Sequence, residues 1–241
     1  MRGCEWIHRV DAAMVDLDGT LAHTLGDFVA AINLMLDELA VPHRVFRADA
    51  AVVEKLVGKG SESLIKQVLA LVDTAQAAMH SGASGGVVNT CDEQFETAMT
   101  SYQRHYRAVN GMYAVVYPGV VAGLTQLRAS GLRLVCLTNK PTAFARDLLK
   151  AKKLDGFFEL TFGGDAFDRQ KPDPLPLLQT CAALGTSPHR TLMVGDSVND
   201  AQAARAAGCP VVLVTYGYNH GQPVHALDAD AYVDSLAELA T

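Results

Sequence analysis

The chain has 241 residues, of which 49% are hydrophobic and 19% are charged, and its formal net charge is −6. This composition is typical of a globular protein with a sizeable core, and it excludes a chain that is disordered overall. The mild negative charge provides no basic surface for DNA or RNA, and no uncharged apolar run is long enough to span a bilayer, so neither a nucleic-acid partner nor a membrane is expected.

Short apolar runs that end in polar or glycine residues recur along the chain and predict buried strands of a parallel sheet. The first run is VDAAMVD, which ends at Asp16, and the later ones are LRLVCLTN at 132–139, FFELTFGG at 157–164, RTLMVGD at 190–196 and PVVLVTYG at 210–217. Helical patterns separate the later runs, and several of them end at a glycine, a frequent residue at helix C-termini. This alternation predicts an α/β fold with a doubly wound, Rossmann-like parallel sheet.

A long helical stretch interrupts the alternation between the first and second strands. Apolar residues recur at helical spacing in 25–40, 61–79 and 95–109, and the glycine- and serine-rich segment 80–90 predicts a loop between the last two. The stretch is too long for a connection from a strand to the next helix. We therefore expect an inserted α-helical cap at residues 23–114 and a catalytic core formed by residues 1–22 and 115–241.

Polar side chains follow the predicted strands, at the edge of an open parallel sheet where ligands bind. They comprise four carboxylates, two lysines, a hydroxyl and an amide: Asp16, Asp18, Thr138, Asn139, Lys140, Lys171, Asp196 and Asp200. Clustered carboxylates need a hard cation, for which Mg²⁺ is the best candidate, and a lysine with a hydroxyl favours a phosphoryl group. Together these residues predict Mg²⁺-dependent phosphoryl transfer.

Four motifs in order give the chain its family resemblance: DLDGTL at 16–21, LTNK at 137–140, KPDP at 171–174 and GDSVND at 195–200. With them the chain resembles the haloacid dehalogenase superfamily, whose cap domain usually lies where the helical insert is. Within that superfamily it is similar to bacterial phosphoglycolate phosphatases, through the segments at 57–65, 117–120 and 206–223. One departure is His23, where relatives often carry an aspartate.

The resemblance implies a role for each motif residue. Asp16 is the nucleophile and a Mg²⁺ ligand, and Asp18 is the general acid and base that also ligates Mg²⁺ through its backbone carbonyl. Thr138 binds phosphoryl oxygens, Lys171 neutralises charge on Asp16, and Asp196 is the second carboxylate on Mg²⁺. Supporting roles fall to Gly19, Thr20, Asn139, Gly195 and Asp200. Taken singly, such residues are more often turn or helix-capping residues.

Two cap residues are candidates for substrate binding. Gly58 and Lys59 belong to a GKG sequence that predicts a turn. In the functional interpretation this turn reaches the substrate, and Lys59 binds the carboxylate of a small acidic molecule. In the alternative, Lys59 is a solvated residue of a flexible turn.

The resemblance implies hydrolysis of 2-phosphoglycolate to glycolate and phosphate through an aspartyl-phosphate. The alternatives are another phosphatase of the superfamily, acting on a sugar phosphate, N-acetylmuramate 6-phosphate or pyrophosphate, and a phosphomutase similar to β-phosphoglucomutase. A non-catalytic member would lack a motif carboxylate or Lys171, and all are present. We expect a small phosphorylated metabolite as partner, a monomer or homodimer, and a cytoplasmic location, since the five cysteines are scattered and form no metal-binding or disulfide pattern.

Overall fold

The computed structural model of the protein describes residues 9–79 and 92–240, so the loop predicted at 80–90 lies outside the described residues. The strands in these residues are β1 (Ala12–Val15), β2 (Ala22–His23), β3 (Val115–Val116), β4 (Arg133–Leu137), β5 (Leu160–Phe162), β6 (Thr191–Gly195), β7 (Val211–Val214) and β8 (Ala231–Val233). The α-helices are α1 (Leu25–Glu38), α2 (Ala50–Leu56), α3 (Gly60–Met79), α4 (Asp92–Val109), α5 (Val120–Ala129), α6 (Thr142–Ala151), α7 (Leu175–Leu184) and α8 (Val198–Ala207).

Six strands form one parallel sheet in the order β5-β4-β1-β6-β7-β8. Numbered along the chain within this sheet, the order is 3-2-1-4-5-6, the doubly wound arrangement, so the predicted fold class is confirmed. The direction of winding reverses between β1 and β6, which pair from Ala12 with Thr191 to Val15 with Val194. Ligands of such sheets bind beside the carboxyl ends of the strands at this reversal.

Both faces of the sheet are covered, which explains why its strands are continuous apolar runs. Every residue of β1 is fully buried. Because successive side chains of a strand point to opposite faces, Val15 packs with residues of α5 and α6, whereas Met14 packs with residues of α7 and α8. The strand β1 is therefore held from both sides, and its end is a rigid point of the molecule.

Most residues of one hydrophobic cluster come from helices α1 to α4, and Phe144 of α6 and Tyr218 join it from the region of the sheet. The chain enters and leaves this region through a small antiparallel ribbon, in which Ala22 pairs with Val116 and His23 pairs with Val115. The buried carboxylate of Asp27 accepts hydrogen bonds of 2.7 Å from the backbone N–H groups of Gly111 and Tyr113, which fixes the start of α1 against the end of the insert. These features support the predicted boundaries of the cap, which stay a prediction.

Among the described residues, none of the helices combines the length and the apolar character that a bilayer crossing requires.

Candidate active site

The loop after β1 positions the first group of site residues. Asp16 follows the last residue of β1, and its backbone N–H donates to the carbonyl of Val194 on β6 at 2.9 Å. The chain then turns sharply at Gly19, whose φ of +87° lies in the left-handed region that glycine adopts without strain. The hydroxyl of the next residue, Thr20, donates to Asp196 at 3.1 Å, which joins this loop to the loop after β6.

Lys171 is the buried cation at the centre of the site. Its Nζ lies 2.9 Å from Oδ1 of Asp16, 2.7 Å from Oδ1 of Asp200 and 2.8 Å from the carbonyl oxygen of Leu137. Burial alone lowers the pKa of this lysine, but the two carboxylates outweigh it and raise the pKa above its usual value. Lys171 therefore stays charged, and its three N–H groups face three oxygen atoms.

Three buried carboxylates form a cluster here, and two of them, Asp16 and Asp200, contact the ammonium of Lys171. Asp16, Asp196 and Asp200 each offer a ligand oxygen, and these oxygens all lie within 4.8 Å of one another. Burial raises the pKa of Asp16 to about 6, although the ammonium of Lys171 opposes the shift. Burial and the neighbouring carboxylates likewise raise the pKa of Asp196 well above its usual value. Three carboxylates and one ammonium leave excess negative charge, which a cation would neutralise.

The donor set of this triad fits a hard cation, since all of its ligand atoms are carboxylate oxygens. Asp196 is oriented from both sides: Thr20 donates to its Oδ1, and the backbone N–H of Tyr218 donates to its Oδ2 at 2.5 Å. Asp200 is oriented by Ser197, whose hydroxyl donates to Oδ2 at 2.8 Å. The carboxylates are thus fixed by groups that do not depend on a metal ion.

Glycines make room for this arrangement. A Cβ on Gly195 would lie 2.3–2.5 Å from the carboxyl group of Asp200, and one on Gly217 would lie 2.2 Å from the Cβ of Asp196. Real side chains never approach so closely, so larger residues at these positions would displace the carboxylates. Gly195, for which the resemblance implied a supporting role, therefore packs against Asp200.

Asn139 joins three segments at the edge of the site. Its amide Nδ2 donates to the carbonyl oxygens of Lys171 and Gly58, both at 2.8 Å, and its Oδ1 accepts from the backbone N–H of Lys171 at 3.1 Å. The side chain of Asn199 also donates to the carbonyl of Gly58, at 3.1 Å. The turn that contains Gly58 is therefore bound directly to the loop after β4 and to the first turn of α8.

The comparisons with known proteins agree with this geometry. The family model of the haloacid dehalogenase-like hydrolases matches residues 10–208. The chain belongs to this family. It is 42% identical to a phosphoglycolate phosphatase of Thiobacillus denitrificans, over 96% of this chain and 94% of the relative. It is also 42% identical to a phosphoglycolate phosphatase of Nitrosospira multiformis, over 95% and 93%.

A solved structure supports the same assignment. The crystal structure of a predicted phosphoglycolate phosphatase from Haemophilus somnus matches with a TM-score of 0.83 and 30% sequence identity, and the match covers 96% of each chain. The resemblance inferred from the four sequence motifs is thereby confirmed.

Most of the site residues predicted for this hydrolase meet in one pocket between the sheet and the cap. Its walls include the four motif aspartates, Lys171, Thr138 and Asn139, together with Gly58 from the cap. Lys59 is placed differently: it is exposed and lines a neighbouring surface pocket with Lys66 and Arg169. The roles assigned to these residues stay predictions.

Sequence reasoning gave no functional role to several residues of the pocket, among them one lysine and three aromatic residues. Lys140 ends the LTNK motif and was counted only as a second lysine, although its Nζ lies 2.8 Å from Asp18. Phe28 and Tyr106 were read as part of helical patterns, and Tyr218 had no assigned role, yet all three line the pocket. The motif position of Lys140 was a usable signal, whereas the position of the aromatic residues depends on how the cap packs.

Proposed function

We propose that this hydrolase cleaves the phosphate ester of 2-phosphoglycolate to glycolate and phosphate, with Mg²⁺ as its cofactor. The relatives at 42% identity, which are named phosphoglycolate phosphatases, support the substrate. The observation that carries the reaction type is the ion pair of 2.9 Å between Asp16 and Lys171, next to two further buried carboxylates at the carboxyl edge of the sheet. A carboxylate beside a fixed cation can attack phosphorus, and carboxylates that need a cation can hold the metal of a phosphoryl-transfer enzyme.

In this mechanism Asp16 is the nucleophile. One of its oxygens forms a bond to phosphorus, the bond between phosphorus and the glycolate oxygen breaks, and an aspartyl-phosphate results. Asp18 donates a proton to the leaving oxygen and later accepts one from the water that attacks phosphorus. The bond between phosphorus and Asp16 then breaks, which releases phosphate and restores the carboxylate.

The other residues bind and orient. Asp16 and Asp196 would hold Mg²⁺ through their side chains, and Asp18 would add its backbone carbonyl, as in the family. Asp200 would support the site by orienting Lys171, with which it is paired at 2.7 Å, or by holding the metal through water. When bound, Mg²⁺ supplies positive charge for the phosphoryl oxygens. The hydroxyl of Thr138 donates to a phosphoryl oxygen from its buried position in the pocket wall.

Residues 23–114 serve in this proposal as a cap over the core formed by 1–22 and 115–241. Its support is the hydrophobic cluster formed mostly by α1 to α4 and the residues of this region in the pocket wall. Such a cap excludes bulk water and limits the pocket to a small phosphorylated metabolite. The monomeric or homodimeric state and the cytoplasmic location stay predictions.

Phosphate release from a panel of substrates tests the proposal. The panel contains 2-phosphoglycolate, β-glucose 1-phosphate, N-acetylmuramate 6-phosphate and pyrophosphate, each with Mg²⁺ or with EDTA. We expect kcat/KM for 2-phosphoglycolate to be at least about tenfold above the others, a preference of roughly 1.4 kcal/mol in transition-state binding. We expect EDTA and the substitution Asp16→Asn to abolish the activity, whereas Asp155→Asn, which changes an exposed carboxylate, should retain it.

Two results would contradict parts of the proposal. A preference for another member of the panel would discard 2-phosphoglycolate but keep the roles of Asp16 and the metal. Full activity in EDTA, or in the Asp16→Asn variant, would discard the mechanism itself.

A further inference from the structure

Lys140 is a second buried cation of the pocket, distinct from Lys171. It follows Asn139 after the end of β4, and its side chain is 2% exposed. Its Nζ lies 2.8 Å and 3.1 Å from the two carboxylate oxygens of Asp18. Burying an ammonium group is costly unless it is paired, so this contact explains how the lysine is tolerated there.

Two aromatic rings of the cap enclose the same ammonium group. Its Nζ lies 4.6 Å from the ring centre of Phe28 on α1 and 4.9 Å from that of Tyr106 on α4. The two rings stack on each other, with centres 5.3 Å apart. Ring faces attract a cation, and they hold this one where the core and the cap meet.

Lys171 and Lys140 differ in how much of their hydrogen-bonding capacity is already used. Lys171 has three oxygen atoms from separate residues around its Nζ: it donates hydrogen bonds to the carbonyl of Leu137 and to Asp200, and it forms an ion pair with Asp16. The oxygen partners described for Lys140 belong to one carboxylate, that of Asp18. An ammonium group has three donors, so Lys140 can bind a further oxygen ligand that enters the pocket.

An anionic substrate needs a cation in the pocket that can still bind an oxygen ligand. Among the described residues that line the pocket, the lysines and arginines are Lys140 and Lys171 alone, against four aspartates. Lys171 is committed to the carboxylates at the reacting end. Lys59, the lysine that the sequence suggested for a substrate carboxylate, lies in the neighbouring pocket. Lys140 is therefore the cation available to the end of the substrate that does not react.

We propose that Lys140 binds the carboxylate of the substrate beside the stacked rings of Phe28 and Tyr106, and that this contact selects small phosphate esters with an anionic end. The proposal rests on the proposed function. In the free protein the carboxylate of Asp18 pairs with the ammonium group of Lys140. The substrate carboxylate shares this contact or replaces it. The selection is made by a core residue, while the cap provides the rings that enclose it.

Two substrates test this selection: 2-phosphoglycolate and ethyl phosphate, which has the same two-carbon chain without the carboxylate. The variant Lys140→Met keeps the length and the contact with the rings but removes the charge. We expect it to lower the ratio of kcat/KM between the two substrates by about 10- to 100-fold, the range of a charge-assisted hydrogen bond of roughly 1.5–3 kcal/mol. Any effect on Asp18 acts on both substrates, so the ratio reports mainly the contact with the substrate carboxylate.

Three further variants make the result specific. Lys140→Arg retains the charge and is expected to keep most of the ratio. Lys59→Met tests the rival cation and is expected to leave the ratio within about twofold of the wild type, since its pocket is a separate one. If Lys140→Met does not fold, as judged by circular dichroism and thermal unfolding, Lys140→Gln takes its place under the same criterion.

Different results would refute the proposed function and the role of Lys140. A wild type that does not prefer 2-phosphoglycolate to ethyl phosphate refutes the proposed function, whatever Lys140 does. A wild type with that preference, combined with a folded Lys140 variant that keeps the ratio within about twofold, refutes the role of Lys140 and leaves the proposed function intact. A loss of the ratio in Lys59→Met alone assigns the carboxylate to Lys59 and also refutes this inference.

Discussion

The close approach between Gly19 and Asp196 leads to a quantitative prediction for Gly19→Ala. A Cβ on Gly19 would lie 2.1 Å from Oδ2 of Asp196, 2.8 Å from its Cγ and 3.0 Å from a ring carbon of Tyr218. To reach an ordinary contact, the carboxylate has to move by about 1 Å, and a misplacement of that size can cost on the order of 100-fold in rate. The positive φ adds strain of about 1–2 kcal/mol for a residue with a side chain.

Gly208→Ala is the matched control. Gly208 has a φ of +79°, close to the +87° of Gly19, but a Cβ there would meet no atom within 4 Å. Gly208→Ala should therefore lose about 1–2 kcal/mol of stability, seen as a fall of roughly 2–8 °C in Tm for a chain of this size, and Gly19→Ala should lose at least as much. Only Gly19→Ala should also lose about 100-fold in kcat/KM, measured by phosphate release at saturating Mg²⁺. Equal activities in the two variants would refute the argument that the glycine is needed for the position of Asp196.

Three other predictions concern buried or paired groups. Lys171→Met should lower the free energy of unfolding, measured with urea, by about 3–5 kcal/mol, because buried carboxylates lose their cation. Adding Asp200→Asn should recover part of that loss. A further loss of similar size in the double variant would contradict this prediction. Hydrogen bonds, above all from the hydroxyl of Ser101, lower the pKa of Glu38 to about 2. The carboxylate of Glu38 therefore stabilises the fold above its unfolded pKa of about 4.3, and the advantage in Tm over Glu38→Gln should shrink as pH falls from there towards 2. Burial raises the pKa of the Cys136 thiol, so peptide mass spectrometry should find it unlabelled by a thiol reagent in the folded protein and labelled in urea.

Much of the fold could be predicted because the sheet is buried on both faces. The strands β1, β4, β5, β6 and β7 lie within the apolar runs read from the sequence, and three of the four cap helices follow helical periodicity. The elements that were missed are short. Strands β2 and β3 have two residues each, β8 has three and α2 has seven, and so few residues do not establish a period.

Some features of the site could also be predicted from the sequence, and others could not. Its convergence was predictable, because the topology brings the carboxyl ends of β1, β4 and β6 to one edge and the residues there stand next to the strands in sequence. The pairing of particular lysines with particular carboxylates was not predictable. Lys140 meets Asp18 across more than a hundred residues, and Phe28 and Tyr106 reach it only after the cap has packed on the core. Nothing in the local pattern around these residues encodes such contacts.

The central position of β1 has a consequence for synthesis of the chain. This strand is made first, yet its neighbours come much later: Ala12 pairs with Arg133 on one side and with Thr191 on the other. Contacts so distant in sequence form slowly, because a long loop must close before they stabilise anything. Until β6 has left the ribosome, one edge of β1 has no partner in the sheet, while the helices of the insert have already been made. A nascent chain of this enzyme therefore carries an uncovered apolar strand from the synthesis of β1 until that of β6, and that interval is when it most needs a chaperone.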